Sequence, residues 1–557
     1  MKIKTRTIII AVILAAVILR LWALSNDDML TDEVYYSLRS IGFLDYAGME
    51  KQSTPLDWFV PLPGWTHLSF HDHPPLVFII QHLFFLLFGV SIFVSRLPFA
   101  LAGVISVYLI YLIAKKTFDE KTALLASALA AIMAVSVYIS RVALMESIVI
   151  TLILLAWYLF SKALEKENYW YWWGAAVGLS FLAKYTAFPI LVVFLIYLLI
   201  YKREVFKNYR FYLGLLLVLV IFSPVIIYNF LLFQNTGHFD LQFAALFGQK
   251  VEVWQTLTAK VSGSFFDKFF AIGPALLDDF SPVTITLLIL AVIFSFFSWL
   301  KKKAPANFLL LLFLVSYLLL FILINPLPRF VTTIYPFVII LIAQFVMAGY
   351  QTASKNKKII LTSAVVIFFV YEGFFSINTN LTTLSFGWPN LTFSLLRPYS
   401  ADFGVNRLDN YLNEELKDVR SAVIPQSGNN NLDEFIKNRA KAGSAKKSSA
   451  YVLLVYNPLL YEVSTLWLFD RRFIYDSIPT AYVDNFVKLM DEKGPDVFKN
   501  YNIYYITGTE NALWRRTYKI KTEASVFEEK LVKQGIEPEI IYSKLNIPMF
   551  KVYKFSL

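Results

Sequence analysis

Between residues 7 and 376 the chain carries one apolar run after another, at 7–24, 75–94, 96–114, 122–139, 147–164, 169–183, 185–201, 209–233, 281–300, 307–325, 330–350 and 358–376. Runs of about 17–25 residues match a hydrocarbon core when they coil at 1.5 Å per residue. In lipid each backbone group must find its partner within the protein, so continuous apolar runs of this length read as helices. Only 16% of the residues are charged, against roughly a quarter in soluble domains. The sequence therefore predicts a polytopic α-helical membrane protein.

The basic residues between the runs set the expected topology. The N-terminus, Met1-Lys2-Ile3-Lys4-Thr5-Arg6, leads into an apolar segment without a small-residue cleavage site, and reads as an uncleaved first span. Later clusters are Lys115-Lys116, Lys162 with Lys166, Lys202-Arg203 through Arg210, Lys301-Lys302-Lys303, and Lys355 through Lys358. Positive loops belong in the cytoplasm. All five clusters fall inside if exactly one of the runs 75–94 and 96–114 crosses. The first opens with Pro74-Pro75 and holds Gln81, His82 and Gly89, so it is expected to lie in the outer interface. That leaves about eleven spans, with the N-terminus inside and the C-terminus outside.

This parity collects Asp32, Glu33, Asp72, His73, Arg96, Arg141, Glu146, Lys184, His238 and Arg329 at outer span ends or in outer loops. Polar residues near a membrane are usually kept for function, and their convergence predicts one extracytoplasmic site. Two outer loops are long, 25–74 and 234–280. Their aromatic stretches (Leu56–Phe59, Pro61–Trp65, Trp254, Phe265-Phe266, Phe269-Phe270) read as headgroup-level anchors.

From about 377 the charge density rises and the apolar runs shrink. Tyr451–Val455, Tyr501–Ile506 and Pro538–Tyr542 read as strands; Asn431–Lys441, Val483–Glu492 and Glu523–Gln534 read as helices. Polar loops are expected at Gln426–Asn430 and Ala442–Ser449. The division is thus a transmembrane domain at 1–376 and a soluble extracytoplasmic α/β domain at 377–557. There are no cysteines, which removes disulfides and thiol chemistry. The net charge of +11 sits in loops between spans, a pattern of membrane topology and not of nucleic-acid binding.

Asp32-Glu33 follows the first span. A carboxylate there suits proton abstraction from an acceptor hydroxyl; an acidic loop is the plainer reading. In His71-Asp72-His73-Pro74-Pro75 the prolines suit the first turn of a helix. They place Asp72 and His73 at its positive end, and four of the five histidines (His67, His71, His73, His82) lie within this region of the chain. Asp72 with a histidine, including His238 from the second outer loop, reads either as a divalent-metal site or as local hydrogen bonding. Arg141 and Glu146 either pair with each other, or Glu146 faces Asp32 as a second carboxylate. Lys184 and Arg329 either snorkel to the headgroups or bind the phosphate of a lipid carrier, the Arg as a fork and the Lys as a point charge.

The order of a basic N-terminus, Arg20-Leu21-Trp22, Asp32-Glu33, Asp72-His73-Pro74-Pro75-Leu76, Arg96-Leu97-Pro98 and Arg141 to Glu146 resembles the GT-C glycosyltransferases. The likeness is strongest to protein O-mannosyltransferases and lipid A aminoarabinose transferases. Ala183-Lys184-Tyr185-Thr186 and Pro328-Arg329-Phe330 resemble later motifs of that family, and the match covers about 1–350. The resemblance implies an inverting transferase of the cytoplasmic membrane that uses a polyprenyl-phosphate sugar. Its acceptor would be a lipid, glycan or protein on the outer face. It implies Asp32, Glu33 and Glu146 as catalytic, and His73, Arg141, Lys184 and Arg329 as donor-phosphate ligands. Asp72 and His238 would hold a divalent metal ion. Where the family has Asp, this chain has Glu146. The rival class is a transporter or flippase. Such proteins tend to show internal repeats and mid-span charges, neither of which is evident here.

Overall fold

The computed structural model describes residues 5–29, 31–42, 72–249, 263–397, 402–428, 430–442, 448–460, 462–512 and 522–557. His67, His71, Leu56–Phe59, Pro61–Trp65 and Trp254 lie outside the described residues, as does most of the expected loop at Ala442–Ser449. The chain divides into two compact units, Met1–Leu24 with Gly48–Tyr399, and Ser25–Ala47 with Ser400–Leu557.

The first unit is helical. Among the described residues seven helices are long and apolar enough to cross a membrane: Ile92–Thr117, Glu146–Ala163, Tyr209–Thr236, Pro282–Lys301, Pro305–Ile324, Pro328–Thr352 and Lys355–Asn380. Glu120–Ile132 and Ala134–Arg141, bent by 54° at Met133, make an eighth if counted as one span. The other expected spans form shorter helices, Thr5–Leu21, Tyr169–Ala183 and Pro189–Tyr201. The run at 75–94 divides into Leu76–Phe88 and the start of Ile92–Thr117, with Gly89 at φ +80° between them. Leu76–Phe88 has 13 residues, about 20 Å of helix.

Membrane helices approach closely where small residues face each other. Tyr169–Ala183 and Tyr209–Thr236 touch backbone to backbone at Gly174 and Gly214; a Cβ on Gly174 would lie 2.0 Å from the Gly214 carbonyl oxygen.

The bend at Met133 is held by Arg20, fully buried in the first helix. Its guanidinium donates to the Ala130 and Ala131 carbonyls at 3.0 and 3.1 Å, and to Ser136 Oγ at 2.8 Å. These carbonyls lack intrahelical partners because the helix stops there. Arg141, at the end of the bent pair, returns the favour to the first helix. It donates to the carbonyls of Leu19, Arg20, Trp22 and Ala23 at 3.0, 3.3, 2.8 and 3.1 Å. Gly103 leaves room for this exchange: a Cβ there would lie 2.2 Å from Ser140 Oγ and 2.9 Å from Arg20 Nε.

The helical unit extends past the expected limit at 376, to Tyr399. Helix Lys355–Asn380 runs on, and its end grips the following loop. Asn378 Nδ2 donates to the carbonyls of Phe386 and Thr392, and Arg397 donates to those of Thr379 and Thr382.

The second unit pairs a short strand β1 (Val419–Ser421) with β2 (Ser448–Ala450) and is built on a five-stranded sheet of order β4 (Thr480–Tyr482), β3 (Val452–Tyr456), β5 (Asn502–Gly508), β7 (Pro548–Phe555), β6 (Glu539–Tyr542). Strands β3, β4 and β5 are parallel. Strand β7 runs antiparallel to β5 and to β6. The three expected strands and three expected helices are all present. Side chains alternate across β3. Val452, Leu454 and Tyr456 pack with Leu408 and Leu412 of helix Val405–Leu416, while Leu453 and Val455 pack with Phe486 and Phe527 on the other face. Residues 25–47, expected with the membrane domain, belong to this unit. Asp28 accepts from the backbone N–H groups of Phe403 and Asn406, and Asn406 Nδ2 donates to the Ser25 and Asp27 carbonyls.

Candidate functional site

In the helical unit two chain breaks bring together residues distant in sequence. Helix Tyr169–Ala183 ends at Lys184, whose backbone is extended before the chain turns into Pro189–Tyr201. Helix Pro305–Ile324 ends at Asn325, at φ +77°, and Pro328–Val331 starts the next segment. Phe330 joins the two breaks. Lys184 Nζ lies 5.1 Å from its ring centroid and Arg329 Cζ 4.9 Å, both within cation–π range.

Lys184 Nζ also donates to Glu146 Oε1 at 2.5 Å, with both side chains buried. Glu146 is the first residue of helix Glu146–Ala163, where the helix dipole favours a carboxylate. Its Oε2 is buried and has no hydrogen-bond partner among the described residues. Glu146 therefore pairs with Lys184 and not with Arg141, five residues earlier. The guanidinium of Arg141, expected at a donor phosphate, is engaged with the four carbonyls that end the first helix. Its geometry is that of a cap on the C-terminal end of the first helix.

Asp72 and His73 stand just before helix Leu76–Phe88, as the proline pair suggests; His73 Nδ1 is 3.0 Å from Asp72 Oδ2. His238 Nδ1 lies 2.8 Å from the Phe239 carbonyl oxygen. The more connected residue is its neighbour Asp240. It accepts from the Tyr185 hydroxyl at 2.6 Å and Asn229 Nδ2 at 3.1 Å, and caps helix Leu241–Leu246 through the N–H groups of Gln242 and Phe243. Burial pushes its carboxyl above the usual range. The bonds from Phe243, Tyr185 and Asn229 oppose that shift, and the charge of Asp72 adds to it. Asp240 thus ties the segment after helix Tyr209–Thr236 to Tyr185, next to Lys184. Its sequence signal was the helix-capping position ahead of Leu241, which the adjacent histidine overshadowed.

Among the described residues no group of three or more His, Cys, Asp or Glu side chains is placed to hold a metal ion. Asp72 engages His73, and Asp240 is saturated by its four donors. Of the expected metal ligands, Asp72 and His238 are thus placed beside His73 and the Phe239 carbonyl respectively, and His67 and His71 lie outside the described residues.

Asp32 and Glu33 open helix Asp32–Gly42 of the second unit. Thr31 precedes them at φ +58°. Glu33 is buried, whereas Asp32 is partly exposed and receives the Tyr36 hydroxyl at 3.4 Å. The far end of the helix is tied down by Tyr475, whose hydroxyl donates to the Leu38 carbonyl at 2.6 Å.

Residues 72–228 match the family model described as dolichyl-phosphate-mannose-protein mannosyltransferase. That stretch carries Asp72, His73, Arg141, Glu146 and Lys184. The chain is 36% identical over 141 residues to YkcB of Bacillus subtilis, which bears a mannosyltransferase name. The match spans 25% of this chain and 20% of that protein's length. In structure the chain is similar to ArnT from Cupriavidus metallidurans, with a TM-score of 0.54 and 14% identity, covering 98% of this chain and 97% of that one. A second structure of ArnT, bound to undecaprenyl phosphate, matches with a TM-score of 0.51 and 13% identity over 98% of this chain and 97% of that one. The oligosaccharyltransferase of Archaeoglobus fulgidus matches with a TM-score of 0.52 and 12% identity, over 91% of this chain and 70% of its own. The fold is that of the GT-C membrane proteins.

Proposed function

We propose that this chain is a polyprenyl-phosphate-dependent glycosyltransferase of the cytoplasmic membrane. It would move a hexose or pentose to a lipid, glycan or protein acceptor on the outer face. The observation that carries the reading is the group Glu146–Lys184–Phe330–Arg329. Two cations on two chain breaks flank one ring, a lining suited to a lipid phosphate, with the fork of Arg329 for two oxygens and Lys184 as a point charge. The match over 72–228 and the likeness to an ArnT structure that holds undecaprenyl phosphate support the same chemistry.

In the proposed step an acceptor hydroxyl oxygen bonds to the anomeric carbon of the sugar. The bond from that carbon to the phosphate oxygen breaks, and the polyprenyl phosphate leaves with the electron pair. Asp32 takes the hydroxyl proton, an assignment resting on the Asp-Glu motif and on its partly exposed carboxylate. Lys184 and Arg329 stabilise the departing phosphate, and His73 is a further candidate ligand for it. Glu146 holds Lys184 in place until the phosphate arrives. Glu33, buried and next to Asp32 in sequence, orients that carboxylate or helps bind the donor.

The test uses purified full-length protein with a polyprenyl-phosphate hexose. Transfer with release of polyprenyl phosphate supports the reading, as does loss of donor binding in Lys184→Gln. Donor binding that is unchanged in both Lys184→Gln and Arg329→Gln would assign these cations to headgroup anchoring.

A further inference from the structure

Helix Phe265–Asp279 has two different faces. Lys268, Ile272, Ala275 and Asp279, spaced at helical intervals, are buried in the unit. The opposite face exposes Phe266, Phe270 (71% accessible) and Leu277, while Phe265 in the first turn and Phe269 at the flank are exposed as well. Ser264 starts the helix with a capping box closed by Asp267, so its N-terminus is fixed without help from a neighbour. Only Phe280 and Ser281 separate its end from Pro282–Lys302, whose own surface exposes Ile289, Ile293 and Phe297. The phenylalanine face is thus continuous in sequence with a surface that faces hydrocarbon. The buried face reaches the Arg329 break: Lys268 Nζ lies 3.4 Å from the Leu323 carbonyl oxygen, and the helix packs against Pro328–Val331.

We propose that helix Phe265–Asp279 lies in the headgroup layer with its phenylalanines inserted among the acyl chains, and so sets the depth of the Pro328–Val331 turn and of Arg329. This deepens the glycosyltransferase reading and rests on it for the role of Arg329. An amphipathic helix in the interface binds through buried apolar area plus any attraction to anionic lipid. The exposed residues are aromatic and aliphatic apart from Asp267, whose carboxylate is engaged by Ser264 in the capping box, and they include no Lys or Arg. Insertion therefore needs no anionic lipid and resists salt.

The absence of cysteines makes a site-specific probe straightforward. Phe270→Cys carrying a bimane label would be placed in phosphatidylcholine nanodiscs, with Glu510→Cys of the second unit as the aqueous reference. Blue-shifted emission, quenched by a shallow doxyl lipid and not by iodide, and unchanged by 1 M salt, is expected. Quenching by iodide alone overturns the proposal. Protection from both quenchers, which would mean cover by protein such as a second copy, overturns it as well. In a second arm, Phe266→Ser/Phe270→Ser should raise the apparent KM for a long-chain donor at least about threefold, given the apolar area withdrawn from lipid. Insertion without any KM change overturns the link to Arg329. A wild-type protein without transferase activity would count against the functional reading, while leaving the probe result to stand by itself.

Discussion

Lys184 faces a choice of two anions. In the structure it holds Glu146; in the proposed reaction it must turn to a phosphate. Removing the cation should therefore weaken donor binding, and removing the competing carboxylate should not. Lys184→Gln is expected to raise the donor Kd by about tenfold or more, the scale of a lost charge-assisted hydrogen bond. Glu146→Gln should leave Kd unchanged or lower it, and equilibrium binding with a labelled donor separates the two. Asp32→Asn keeps the shape of the side chain and removes its basicity. Single-turnover transfer should fall by at least about a hundredfold with donor affinity retained. Near wild-type transfer would remove Asp32 from the role of base. Asp28 carries a pH effect. Burial, opposed by the N–H groups of Asn406 and Phe403, raises its carboxyl from 3.8 to about 6. The folded state then binds the proton more tightly than the unfolded one. The contribution to stability is present in full below about pH 4 and is lost as the pH rises through about 6. Thermal melts of wild type and Asp28→Asn should diverge in their pH dependence across that window; parallel curves would show that Asp28 does not titrate there.

Elements were legible where the cause was local. Most long apolar runs became single helices because some twenty apolar residues specify one in lipid, and Tyr451–Val455 became a strand because its continuous apolar run suits a sheet covered on both faces. The break at Met133 was not legible, since neither Pro nor Gly marks it. It is made by Arg20, 110 residues away from Ala130. The Glu146–Lys184 pair was hidden for a related reason. Proximity in sequence favoured Arg141, but that side chain caps the first helix. Likewise, the membership of 25–47 in the second unit rests on Asn406, far along the chain. Close approach at Gly103 makes a direct prediction. Gly103→Ala forces a methyl against Ser140 and Arg20, and overpacking of this kind costs about 1–3 kcal/mol. A lower unfolding midpoint, followed by the chain's own tryptophans, is expected, and an unchanged midpoint would show that the arginine exchange tolerates displacement.

For the molecule as a whole, the helix Leu76–Phe88 bears on topology. Its length of about 20 Å falls short of a hydrocarbon core of about 30 Å. If it does not cross, a cysteine placed at Val90 should react with an impermeant reagent in intact cells, and one at Lys301 only after permeabilisation. External labelling at Lys301 would reverse the orientation on which the outer site depends. The two arginines add a constraint of another kind. The first helix ends on a group donated by Arg141, and the bent pair is completed by a group donated by Arg20. A nascent chain that has made only its first helix therefore holds open carbonyls and a guanidinium without its folded partners. That helix must wait for about 120 more residues to emerge before either is satisfied. Biogenesis of this protein thus has an early, vulnerable interval. Truncations before Arg141 should be held by the insertion machinery or degraded, and chains extended just beyond it should become stable.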